Sequence, residues 1–495
     1  MTDKTRRLIK GGAWNVAANI AKISSSLVVL PILTRLLSAD DFGLVQMAMP
    51  VIIFTMVFNT AGLGPALVVA DEPSDELWSS ALWANFGIGL AFTLVLIATA
   101  PLMGLFYRSS EVVPVIIALS SAILLQTAAI IPGAWLQREF NFRSLAVADI
   151  LGNGLGVLTA VVAAWIGFGV WSLVIQQIVI QLVRSAYLWV VASPPILLMF
   201  SWAELKKITN FSLNVNFASV ANFFGRNADN IILGRAVGAT ALGFYSIAYR
   251  LMLLPIQVFS WGMATILLPG LSQMKYERER LQSACMRVFQ MVSVVTFPIM
   301  AGACALSEPL VVTVLGEQMR PAAPLLAILA PVGAMQSLSS SHGSIFLSLG
   351  RADIMFRWSV ICNILIVIAF LIGINWGVAG LAWSYLIMNL LLGPPGYALL
   401  FRQMGLRWGR FFAGVGPISL SAIGMGLIVW FCSRELAAAG FSELQIVLIG
   451  IPLGAVLYAV AIFVLSRAVL DDLISLVRQM LSRKPAAELS APEHV

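Results

Sequence analysis

The sequence predicts an all-α integral membrane protein of about fourteen transmembrane helices. Twelve of them form two six-helix lobes related by a pseudo-twofold along the membrane normal, and two extra helices follow at the C-terminus. Three observations predict this. Hydrophobic residues make up 60% of the 495 and charged residues only 11%, with a mean hydropathy of +0.93. Only a bilayer can be the solvent for so much apolar surface. The apolar residues fall into stretches close to the ~20 residues that cross a hydrocarbon core. Finally, sliding residues 8–50 onto 208–250 without a gap gives eight identities, among them Ile32/Ile232, Leu33/Leu233, Arg35/Arg235, Ala39/Ala239, Gly43/Gly243 and Ala48/Ala248.

In chain order the expected spans are 11–34, 42–66, 78–103, 112–135, 145–166, 170–192, 207–232, 242–268, 283–306, 322–348, 355–374, 378–400, 411–432 and 444–468. Residues 1–200 would be the N-lobe, 201–402 the C-lobe, and 403–468 the last two spans. Residues 469–495 read as an amphipathic helix on the inner leaflet followed by a tail. Prolines such as Pro31, Pro50, Pro132 and Pro298 sit inside spans, where neighbouring helices satisfy the freed carbonyls. With the N-terminus in the cytoplasm, 21 of the 30 Lys and Arg residues fall on the cytoplasmic side, five outside and four within spans. That bias places both termini in the cytoplasm and accounts for the net charge of +7 without a nucleic-acid partner. Cys285, Cys304, Cys362 and Cys432 lie far apart and imply neither a disulfide nor a zinc site.

The candidate site comes from polar residues inside these spans. Ser212, Asn216, Ser219, Asn222, Arg226 and Asn230 recur at steps of three and four, one face of one helix. In the repeat, Asn19, Lys22 and Ser26 lie over Ser219, Asn222 and Arg226, so a wet face is duplicated as well as an apolar one. A cation at mid-span costs about 2.5–3.5 kcal/mol unless it reaches water or an anion. Lys22, Arg226 and Arg250 are therefore candidates for holding an anion, and Asn19, Ser26, Asn216, Ser219 and Asn222 for bonding hydroxyls. Asp229 is a candidate for ion coupling or for a structural pair with Arg226 or Arg250. Asp149 reads as a cap or pair near the inner surface, and Gln177, Gln181 and Arg184 form another wet stripe. No acidic pair, metal cluster or P-loop is visible and every loop is short, so neither an enzyme nor a cofactor is expected.

Three pieces carry a family resemblance. They are Arg235-x-x-x-Ala239-x-x-x-Gly243-Phe244-Tyr245-x-x-Ala248-Tyr249-Arg250; Trp135-Leu136-Gln137-Arg138 with Phe142-Arg143; and Gly167-Phe168-Gly169-Val170-Trp171-Ser172-Leu173. The sequence resembles the polysaccharide exporters of the multidrug/oligosaccharidyl-lipid/polysaccharide superfamily, which includes Wzx-type flippases and the lipid II flippase. The resemblance implies two six-helix lobes moving an undecaprenyl-diphosphate-linked oligosaccharide outward across a bacterial inner membrane. It also implies a diphosphate on the cavity cations, a groove for the lipid tail at the last two spans, and glycan polymerase or export machinery as neighbours. A drug or cation antiporter of the same superfamily is the alternative, though cationic cargo calls for buried acids and the buried charge here is mostly positive. A membrane-embedded glycan polymerase is a further one, lacking visible catalytic residues.

Overall fold

The computed structural model describes residues 3–60, 62–71, 73–206, 208, 223, 227–274 and 276–465. Among them every regular element is a helix. In order these are α1 (Asp3–Leu36), α2 (Ala39–Thr60), α3 (Leu63–Val69), α4 (Asp75–Tyr107), α5 (Val112–Arg138), α6 (Phe142–Trp165) and α7 (Val170–Val191). Then come α8 (227–236), α9 (Ala239–Gln273), α10 (Arg278–Ala305), α11 (Ser307–Leu315), α12 (Ala323–Ser339) and α13 (His342–Ser348). The chain closes with α14 (Ala352–Gly373), α15 (Gly377–Met404), α16 (Trp408–Ala438) and α17 (Glu443–Leu465). Most agree to within a few residues with an expected span, but α1 begins eight residues early and α8 covers only the end of span seven. Span two is divided into α2 and α3, span ten into α12 and α13, and the short α11 falls between spans nine and ten.

Eleven segments among the described residues are long and apolar enough to cross a membrane. One of them, Ala352–Met404, runs 53 residues and comprises both α14 and α15, separated by a 3-10 turn at Ile374–Trp376. Helix α1, 34 residues long, is not among the eleven. Most of the expected seventh span, and all of 469–495, lie outside the described residues.

Helix ends follow local chemistry. Ser74 Oγ accepts from the Leu77 amide at 3.1 Å, and Asp75 and Glu76 sit in the first turn of α4, where the helix dipole favours anions. Asn141 caps α6 in the same way through the Ser144 amide. Gln318 donates to the carbonyls of Thr34 and Leu37, satisfying acceptors left open at the end of α1.

The chain forms two compact units. The first takes in the described parts of Met1–Val258, Leu310–Leu329 and Phe356–Leu392. Within it α1 packs on α6, α6 on α7, α7 on α5, and α5 on both α4 and α2. Gly152 and Gly156, one turn apart, let α6 approach α7 until a Cβ at either would crowd the Ile180 carbonyl or side chain. The second unit takes in the described parts of Phe259–Pro309, Ala330–Met355 and Gly393–Val495. Its core joins α10 to α15 and α16 through Cys285, Phe289, Phe401 and Phe411. Apolar side chains also point outward, with Val190 83% and Leu198 92% exposed. That surface suits lipid, not water.

Candidate functional site

Five helices of the first unit surround a cavity of about 170 Å³. Helix α1 contributes Lys22, Ser25, Ser26, Val29, Leu30 and Leu33, which the 3.6-residue period brings to one face. Helix α2 adds Phe42, Val45 and Gln46, and α6 adds Asn153 and Val157. Helix α7 adds Leu173, Gln176, Gln177 and Ile180, and α9 adds Ser246, Ile247 and Arg250. Along α1 and α2 the residues nearest their shared corner are apolar, and the polar ones lie farther along each helix. The cavity thus has an apolar roof below the corner and a wall of one ammonium, one guanidinium, four amides and three hydroxyls. No carboxylate lines it.

The hydroxyls are partly committed: Ser25 Oγ donates to the Lys22 carbonyl at 2.8 Å and Ser246 Oγ to the Gly243 carbonyl at 2.9 Å. Asn153 Nδ2 donates to the Asp149 carbonyl at 2.7 Å. Among the described residues neither Lys22 nor Arg250 has a carboxylate within 4.0 Å, and both side chains are exposed. A positive, acid-free cavity with amides around it can hold an anion carrying hydroxylated groups.

The corner above this cavity is shut by a reciprocal contact. A Cβ at Gly43 would overlap the Ala239 carbonyl, and a Cβ at Gly243 would overlap the Ala39 carbonyl. Gly43 and Gly243, and likewise Ala39 and Ala239, stand at the 200-residue offset of the sequence repeat. Thr240 Oγ1 adds a hydrogen bond to Asp40 Oδ1 at 2.8 Å, again 200 residues apart. Residue i meeting j′ while j meets i′ is the pattern of two-fold related surfaces. The flanking arginines follow suit. Arg35 donates to the Thr313 carbonyl at 2.7 Å and packs against Gly316, while Arg235 stands 5.8 Å over the Phe106 ring.

Of the residues singled out in the sequence, Lys22, Ser26 and Arg250 come together in the cavity. Asn19 lies on α1, half-buried, and is not part of its lining. Asn216, Ser219, Asn222 and Arg226 lie outside the described residues, as does Ser212. Asp229 is buried away from the cavity lining. It accepts from the Tyr245 hydroxyl at 3.1 Å and from the Asn230 amide at 2.8 Å, so a phenol and a backbone donor hold it. Arg184 donates to Asp149 at 2.7 Å, tying α7 to α6. Gln177, read as part of a wet stripe, does line the cavity. Gln46, Asn153, Gln176 and Ser246 were not singled out. Asn153 had a signal: it stands inside Gly152-Asn153-Gly154-Leu155-Gly156, a close-packing face whose embedded amide has to meet a partner.

Comparison with known proteins gives the family and the fold. A family described as polysaccharide biosynthesis protein matches residues 32–324. The succinoglycan biosynthesis transport protein ExoT of Rhizobium meliloti is 29% identical over 490 residues, covering 98% of each chain. The teichuronic acid biosynthesis protein TuaB of Bacillus subtilis is 24% identical over 461 residues, 92% of this chain and 95% of that one. Among solved structures, the lipid II flippase MurJ in an inward closed conformation has the same fold. Its TM-score is 0.73 at 16% identity, over 93% of this chain and 100% of that chain.

Proposed function

The chain belongs to the polysaccharide biosynthesis protein family, and from that premise we propose that it is a flippase carrying a lipid-linked oligosaccharide across a bacterial inner membrane by alternating access. The observation that carries the reading is the acid-free cavity in which Lys22 and Arg250 stand without a carboxylate among the described residues. The diphosphate of a polyprenyl-linked sugar supplies the missing anion, with Arg250 as a bidentate fork and Lys22 as a point charge. Gln46, Asn153, Gln176 and Gln177 supply donors and acceptors for sugar hydroxyls. Arg226 belongs to the same set by its place in the repeat, with Asn216, Ser219 and Asn222 as further sugar contacts; Asn19, one turn from Lys22 but outside the lining, would reach a sugar only beyond the cavity. The prenyl chain stays in lipid.

Fourteen spans follow if α1 and the seventh span join the eleven apolar segments and Ala352–Met404 crosses twice. A single pass of 53 residues would run about 80 Å, far beyond a ~30 Å core. An even count puts both termini on one side, which the Lys and Arg bias makes the cytoplasm, and the two six-helix lobes at 1–200 and 201–402 rock about the central cavity. Each cycle must part the Gly43–Ala239 and Gly243–Ala39 contacts to let cargo out. No chemistry is performed on the cargo. The drug-antiporter reading finds no support in a cavity without acids.

The test is reconstitution in liposomes with a labelled lipid-linked oligosaccharide, scored by access of an external probe. Lys22→Ala and Arg250→Ala should each weaken cargo binding about ten- to a hundredfold, as when one hydrogen bond to a charged group is lost, while leaving folded protein. Undiminished flipping in both variants would overturn the assignment.

A further inference from the structure

In the second unit, four arginines gather at the start of α10 and the turn between α15 and α16. Arg402, Arg407 and Arg410 fall within nine residues of sequence, with no acid among them. The turn that carries them is rigid. Gln282 Nε2 donates to the Met404 and Gly405 carbonyls at 3.0 Å each, and Arg278 Nε donates to the Met404 carbonyl at 3.1 Å. Gly405, at φ +67°, lets the turn pass over the Arg278 guanidinium, which a Cβ would overlap. Met404 and Leu406 are buried in the core, so the arginines of this turn are left on the surface.

Among the described residues the partners of Arg278 and Arg410 are neutral. Arg410 donates to Gln282 Oε1 at 3.1 Å and to Ser283 Oγ at 3.0 Å. Two acids of this face are engaged elsewhere: Glu277 with Arg280, and Asp353 with Arg351. Among the described residues no carboxylate, Glu279 included, comes within 4.0 Å of Arg278, Arg402, Arg407 or Arg410. Arg407 and Arg410 also stand at the uncapped positive end of α16, where the helix dipole disfavours cations. Sidedness of the chain requires positive charge somewhere on this face, but not two of these cations, Arg278 and Arg410, fixed by a carbonyl, an amide and a hydroxyl beside two further exposed arginines. Beside them Trp408 stacks on Phe412 at 5.7 Å, with Phe412 60% exposed: an aromatic pair of the kind that sits at headgroup depth.

We propose that this corner binds the phosphate headgroup of an anionic phospholipid of the adjoining leaflet, with the guanidiniums on the phosphate and an acyl chain along Trp408 and Phe412. Charge complementarity and the exposed aromatic pair select a lipid over a soluble anion. The site is independent of the cargo cavity and of the reading given to it.

The experiment is native mass spectrometry of the full chain in detergent, titrated with phosphatidylglycerol or with phosphatidylcholine. Phosphatidylglycerol should be retained in preference. Arg407→Gln with Arg410→Gln should lower its affinity about 25-fold, roughly fivefold per cation. Arg434→Gln, at the other end of α16, should leave it unchanged. Equal retention of the two lipids, or an equal loss in Arg434→Gln, overturns the proposal. So does displacement of phosphatidylglycerol by inorganic phosphate at equal concentration, which marks a free-anion site. If the double glutamine variant does not fold, Arg402→Gln must still lose about fivefold and Arg407→Lys with Arg410→Lys must keep most of the affinity. Failure of either refutes the site.

Discussion

Replacing Gly43 by Ala puts a methyl group where the Ala239 carbonyl stands. The obstruction is backbone, so no rotamer change relieves it and the starts of α2 and α9 must separate. Forcing extra volume into a packed contact costs about 1–3 kcal/mol, and a backbone obstacle belongs at the upper end. Losing the Thr240–Asp40 hydrogen bond adds about 0.5–1.5 kcal/mol. The total for this conformation is about 3–4 kcal/mol. Gly243→Ala meets the Ala39 carbonyl and should cost the same. The double variant should cost about as much as either single one, because the separation that admits one methyl admits the other. Gly154→Ala, with open space around its Cβ, is the control: it should be neutral or slightly stabilising by helix propensity. Thermal unfolding in detergent measures stability, and maleimide labelling of Gln46→Cys reports whether the corner has opened. Each glycine variant should raise that labelling. If Gly43→Ala is as harmless as Gly154→Ala, or if the two substitutions add in full, the reciprocal contact is not the closure it is taken for.

Further outcomes follow from single contacts. Tyr245→Phe removes a hydrogen bond to the buried Asp229 carboxylate and should cost about 1.5–3 kcal/mol in thermal unfolding; adding Asp229→Asn should recover much of it. Asp149→Ala breaks the Arg184 ion pair, whose side chains are 31% and 47% exposed, so the cost should stay at or below about 1 kcal/mol. Its flipping rate in liposomes should match the parent, and a loss like that of Arg250→Ala would make the pair part of the cargo path. Gln46→Leu and Gln177→Leu keep the charge of the cavity, so they should reduce flipping of the glycan-bearing lipid more than that of its bare diphosphate. Equal losses for both would remove the amides from sugar recognition.

What the sequence alone determined is what can be read within one helix. Composition and stretch length marked the membrane helices because a bilayer demands about twenty apolar residues from each. The repeat was legible because Ala39, Gly43 and their counterparts survive at a fixed offset, and Lys22 and Arg250 stood out because charge at mid-span is costly. The partners were not legible. A helix in water shows its inner face by contrast with a polar outer one, but lipid-facing and helix-facing residues here are both apolar. The rotation of each helix about its axis is therefore weakly written in its own sequence. Only packing turned Gln46, Asn153 and Gln176 toward Lys22, drew α6 onto α7 through Gly152 and Gly156, and brought the Tyr245 hydroxyl to Asp229. Only packing set Gly43 on the Ala239 carbonyl and Gly243 on that of Ala39, since close approach of two backbones is a property of the pair and not of either strand of sequence.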